Sequence, residues 1–220
     1  MHVKRFRTSN LKVKLILLTI LPALGSGCTH PLSVHPLSDE KTSVMDERLI
    51  GHWQLVEMEK QRDRNMALFV VGRVQDTENT LELVFADVTQ SGNVKIFRQS
   101  LYLTSIAGHN YLSVEYPYEA DRCYSIFRYK LIEHDPRHHE DDELQLFAVD
   151  PNALGRAILD KQLPGKATWY ETPDKPDAKV QWVRTSASPE QLQEYIGKHE
   201  QELFDKSSPL VLKKGRPFGL

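Results

Sequence analysis

Histidines and carboxylates crowd the stretch HDPRHHEDDE, His134 to Glu143, and each of those residue types can ligate zinc or another divalent ion. A site also needs convergence. Adjacent His138 and His139 point apart in extended backbone, and Asp135-Pro136 marks a turn between strands. His134, His138 and His139 are therefore weak metal candidates on a solvated hairpin tip, and no metal or other cofactor is expected. Glu82 and Asp87 are carboxylates that a cleft could turn into an acid and a base, but charged side chains on a wet sheet face are far commoner. The chain has no G-x-S-x-G elbow, phosphate-cradling glycine loop, H-E-x-x-H helix or dinucleotide fingerprint. No catalytic residue is assigned, and an enzyme is the least favoured of the function classes.

The two cysteines have unlike settings. Cys123, in the apolar run RCYSIFRYKL, reads as a buried small hydrophobe. Cys28 follows a basic stretch with Lys4, Arg5, Arg7, Lys12 and Lys14 and no acid, then an oily run from Leu15, then Gly25-Ser26-Gly27. Basic, apolar, small is the order of an export signal. A spanning helix needs roughly 20 apolar residues, and Pro22 and the glycines end the run short of that. The segment LGSGC resembles the lipobox of bacterial lipoproteins. That resemblance implies that residues 1–27 are a signal peptide and that Cys28 is acylated and becomes the N-terminus. An ordinary secretory cut after Ala23-Leu24-Gly25 is the alternative. Each buried methylene contributes about 0.8 kcal/mol, so the several chains on such a cysteine hold firmly where one holds marginally. Thr29 stands where an aspartate, by resemblance to enterobacterial lipoproteins, would signal retention in the inner membrane. The resemblance thus implies an outer-membrane anchor facing the periplasm.

Residues 1–27 hold five of the 28 basic residues and none of the 30 acidic ones, so the rest of the chain carries 23 against 30, a net charge of −7. That balance argues against a nucleic-acid partner held through phosphates and against charge-driven binding to anionic head groups. From Thr29 to Met45 the chain reads THPLSVHPLSDEKTSVM, with a His-Pro-Leu-Ser near-repeat at His30 and His35 and no periodic apolar face. Residues 28–46 are expected to be a flexible tether, followed by one domain over 47–215 and a tail over 216–220.

The elements that would position any site are mostly strands. Runs rich in Val, Ile, Leu, Phe and Tyr recur between turn residues, over His52–Met58, Ala67–Val74, Leu81–Thr89, Val94–Ile106, Tyr111–Tyr116, Cys123–Glu133, Leu144–Val149, Val180–Thr185 and Leu210–Lys213. Gly108-His109-Asn110 reads as one of the turns. Within Cys123–Leu131 alternation puts Cys123, Ser125, Phe127 and Tyr129 on one face and Tyr124, Ile126, Arg128 and Lys130 on a wetter one. Two helices are expected. Asp150 caps one over about 151–160, with Pro151 at its first position. Ser188 caps the other over 189–204, with Gln191 completing a capping box. Short strands at this spacing predict a mainly β domain, an antiparallel barrel or strongly curved sheet with two helices, because closure removes exposed edges.

Gly51-x-Trp53, in LIGHWQL at the head of the first strand, resembles the opening of calycins such as the lipocalins. There the tryptophan plugs one barrel end, usually against a basic side chain of the final strand, a place that Lys213 and Lys214 fill here. The layout also resembles small bacterial envelope lipoproteins. These resemblances imply a membrane-anchored, non-enzymatic module whose barrel holds a small apolar ligand. The alternative is an envelope assembly protein whose filled barrel docks a protein partner.

Overall fold

The computed structural model describes residues 31–56, 67–75, 77, 79–88, 94–116, 122–133, 142–173, 175, 178–204 and 208–215. The chain folds as β1 (Leu32–Ser33), β2 (Gly51–Leu55), β3 (Ala67–Arg73), β4 (Leu81–Val88), β5 (Val94–Ile106), β6 (His109–Tyr116), β7 (Cys123–Ile132) and β8 (Glu143–Ala148). After these come α1 (Pro151–Leu159), β9 (Gly165–Trp169), β10 (Val180–Thr185), α2 (Pro189–Phe204) and β11 (Leu210–Lys214). Among the described residues no helix is long and apolar enough to cross a membrane.

Strands β2 to β8 form an antiparallel meander, β11 inserts between β8 and β2, and β6 pairs with β7, so eight strands close into a barrel. The fold is thus a mainly β, closed antiparallel barrel with two helices. Its width follows from the register. A circuit from Gly51 through the paired residues steps two residues along β4, two along β7 and four along β8, and returns at Leu55, four past its start. The offset is a shear of about 12, which tilts the strands by roughly 45° and makes the interior wider than in an eight-stranded barrel of shear 8.

Alternation along the strands produces two cores. Inside the barrel, Trp53, Leu81, Leu103, Leu112, Phe127 and Leu212 belong to one buried cluster. Outside it, Tyr111 and Ile126 of the barrel wall pack with Leu154 and Ala157 of α1 and Leu192, Ile196 and Phe204 of α2. The face of β7 expected to be wetter is therefore covered over its first half: Tyr124 and Ile126 are buried, as Cys123 and Phe127 are on the other face. Strand periodicity shows which residues share a face but not that helices from later in the chain will lie on it.

Both helices begin as their caps require. Asp150 accepts from the Asn152 and Ala153 amides, and Ser188 and Gln191 exchange the two hydrogen bonds of a capping box. In α2 the backbone departs from helical geometry at His199. Gly108 takes a positive φ in a tight Ala107–Gly108 turn, so β6 starts at His109, two residues before its expected position. Strand β9 was not expected. Its GKATW sequence shows no clean apolar alternation, and it pairs along β10.

The expected tether is corrected over residues 31–46. Ser33 pairs with both Tyr124 and Thr185, Leu37 is completely buried in the outer core, and its amide donates to Ser113 Oγ at 3.0 Å. Strand β5 runs past the first residue of β4, which lies opposite Leu101. Ser43 takes over there: its Oγ accepts from the Leu103 amide at 2.8 Å, and the Val44 amide donates to the Leu103 carbonyl at 3.0 Å. The segment is a strap on the barrel wall. Serine hydroxyls and single buried leucines hold it, which a search for periodic apolar faces does not detect.

Candidate functional site

One barrel end is sealed. A 3-10 turn, Glu47–Leu49, enters it with Leu49 buried. Trp53 is 1% exposed and its indole N–H donates to the Leu49 carbonyl at 2.8 Å, which satisfies the ring's one polar atom. Lys214, rather than Lys213, lies over the ring, with Nζ 5.5 Å from its centroid, and donates to the Arg48 carbonyl at 3.2 Å. Gly51 has φ +143°, and a Cβ there would sit 3.3 Å from Lys214 Cε. Both its backbone conformation and the approach of Lys214 favour glycine.

The seal includes a charge network. Arg48 pairs with Asp46 through Nε and Nη2, and the Tyr129 hydroxyl donates to Asp46 Oδ2 at 3.0 Å. Burial alone would raise the Asp46 carboxyl. The hydrogen bonds from Arg48 and Tyr129, with the Arg48 charge, outweigh it and hold the group below the usual carboxylate range. Burial, then the Asp46 charge, push the Tyr129 hydroxyl the other way, well above its ordinary value.

The interior is not uniformly closed. On the half nearest Trp53, the inward residues Val71, Leu81, Leu101, Leu103, Leu112 and Leu144 are all buried. Toward the other end Phe69, Leu83, Val114, Leu146, Ala148 and Leu210 pack on the same core yet are partly exposed. Phe69 lies opposite Phe85 and Phe85 opposite Phe97, so all three share the inner face. Their rings form a ladder, with centroids 6.1 Å and then 4.6 Å apart. One end of the barrel is thus a tryptophan-plugged floor, and the other half offers accessible apolar and aromatic wall.

A second concavity, of about 330 Å³, lies outside the barrel between the β5–β6 turn and the C-terminal part of α2, lined by His109, Tyr111, His199, Glu200 and Glu202 among others. Its groups are largely committed: Glu200 pairs with Arg128, and His199 Nδ1 lies 3.4 Å from Glu202. Burial, then the Glu200 charge, push the Tyr111 hydroxyl up to about 12. Among the described residues no group of three or more His, Cys, Asp or Glu is arranged to hold a metal ion.

Of the residues singled out from the sequence, the structure brings Gly51 and Trp53 together with Lys214 at the floor. Cys123 is completely buried. Glu82 is paired with Arg98, and the side chain of Asp87 lies outside the described ones, as do the residues Cys28, His134, His138 and His139. The phenylalanine ladder escaped the sequence reading, since only strand register shows that Phe69, Phe85 and Phe97 are neighbours. Asp46 and Tyr129 escaped it for the same reason, being 83 residues apart.

Comparison with protein-family models, with characterised proteins and with solved structures finds no match to this chain.

Proposed function

We propose that this protein is a lipid-anchored envelope protein, held through Cys28 in the outer membrane and facing the periplasm, whose calycin-like barrel binds a small apolar ligand. The observation that carries the binding reading is the gradient of exposure along the barrel interior. Most apolar side chains facing inward are buried at the Trp53 end, whereas Phe69, Leu83, Val114, Leu146, Ala148 and Leu210 toward the other are partly exposed, with Phe127 and Leu55 buried among them. Apolar surface left accessible inside a fold has a solvation cost that a ligand removes. The Phe69, Phe85 and Phe97 rings offer that ligand a flat wall. The anchoring reading is supported by the lipobox-like LGSGC after a basic and apolar leader.

The test titrates an apolar fluorescent probe into the full chain and into Ala148→Trp, which adds a large ring to the accessible half. Saturable, stoichiometric binding that Ala148→Trp abolishes is the expected result. No binding to a folded parent overturns the ligand reading and favours a filled barrel that docks a partner. Cys28→Ser, followed by cell fractionation, tests the anchor: the protein is expected to leave the membrane for the soluble periplasmic fraction, and an unchanged membrane fraction overturns lipidation.

A further inference from the structure

The three-stranded sheet made by β1, β10 and β9 has two unlike faces. One, through Val180 and Val183 of β10 and Ala167 and Trp169 of β9, packs on the outer core. On the other, register sets Lys166 opposite Arg184 and Arg184 opposite Leu32, with Trp182 next along β10. Just past β9 the Tyr170 amide donates to the Lys179 carbonyl, which continues the same row. Lys166, Tyr170 and Lys179 are exposed, and Trp182 and Arg184 are half-buried. This row holds three cations and two aromatic rings, in a chain whose charge is otherwise acidic. Tyrosine and tryptophan rings beside lysine and arginine suit the boundary between water and lipid, where the rings lie among head groups and the cations meet phosphates.

The position of this face relative to the chain terminus gives it a partner. Leu32 is in register with Arg184, and only Thr29, His30 and Pro31 separate it from Cys28. Four residue steps span at most about 14 Å of extended chain, and because Pro31 and Leu32 are already buried there is no further slack. Building on the reading that Cys28 is acylated, we propose that the Lys166, Tyr170, Lys179, Trp182 and Arg184 face lies directly against an anionic lipid bilayer, so that the domain rests on the membrane instead of hanging from a tether. The net charge of the chain opposes such contact, but attraction at the surface is local and decays within about 8 to 10 Å, so the sign of the facing patch decides it.

The experiment reconstitutes the full chain, purified from its own membranes, into vesicles of phosphatidylcholine and phosphatidylglycerol whose acyl chains are brominated near the head groups. Trp53 is inside the barrel and Trp169 packs on the outer core, so Trp182 is the one of the three tryptophans on the proposed contact face. The expected result is that brominated lipid quenches part of the tryptophan emission, that Trp182→Phe removes the quenched part, and that Lys166→Glu with Lys179→Glu, both on exposed side chains, reduces it several-fold. The urea midpoints of these variants, measured alongside, show that each is folded. A chain that floats with the vesicles yet shows no quenching, or quenching that neither variant changes, overturns the proposal and leaves the anchor standing. A chain that does not float with the vesicles overturns the anchor itself, and the proposal with it.

Discussion

At the scale of single residues, the floor of the barrel is where the most structure depends on the fewest atoms. Trp53 fills the end, its N–H is satisfied by Leu49 and its face is covered by Lys214. Trp53→Ala is therefore expected to cost about 3 to 5 kcal/mol, as removal of a buried large aromatic side chain does, read as a shift in the urea midpoint. An unchanged midpoint would mean that the ring seals nothing. Asp46 supplies a prediction with a sign. Its folded-state pKa is depressed, so the stability it contributes is fully present above the ordinary aspartate value, about 4, and is lost as pH falls through the lower folded value. The difference in stability between the parent and Asp46→Asn should be largest near neutrality and shrink below about pH 4. A difference that does not vary with pH in that range would show that the carboxylate's charge is not what Arg48 and Tyr129 hold.

At the scale of elements, the strap over residues 31–46 couples parts of the fold that are far apart in the chain. It pairs with β7 and β10 through Ser33, donates to β6 through the Leu37 amide, and completes the uncovered edge of β5 through Ser43 and Val44. Gln193 of α2 also donates to the Leu37 carbonyl at 2.7 Å. Leu37→Ala should therefore cost about 2 to 5 kcal/mol, the range for a buried leucine, and chemical denaturation measures it. A tether would give no change. Two parts of this scale were legible in the sequence, the helix caps and most strand bounds, because a cap is made by residues three apart and a strand by alternation within itself. The strap and β9 were not, because their partners lie elsewhere: Gly165 to Trp169 are ordered along β10.

At the scale of the whole molecule, closure with a shear of about 12 gives the barrel a wide interior, and the exposure gradient divides that interior into a structural floor and an accessible half. The two halves should answer mutation differently. Leu103→Ala, at 1% exposure on the floor side, is expected to cost about 2 to 5 kcal/mol. Phe97→Ala, on the partly exposed inner wall, should cost markedly less stability and instead weaken binding of an apolar probe. Equal stability losses without an effect on probe binding would show an interior packed alike throughout.

The sequence by itself determined that the domain is mainly β with two capped helices, because alternation, turn residues and capping boxes are local. It also marked Gly51 and Trp53 as a special pair and Cys123 as an apolar thiol. Only the tertiary structure decided that eight strands close, that β11 joins the meander between β8 and β2, that Lys214 is the cation over the tryptophan, and that Phe69, Phe85 and Phe97 stack into one wall. It decided, too, that residues 31–46 are part of the body of the protein. The physical reason is the same in each case. A strand's composition states which of its faces prefers to leave water, but the register that chooses its neighbours is a property of two strands at once, and the partner can lie anywhere along the chain.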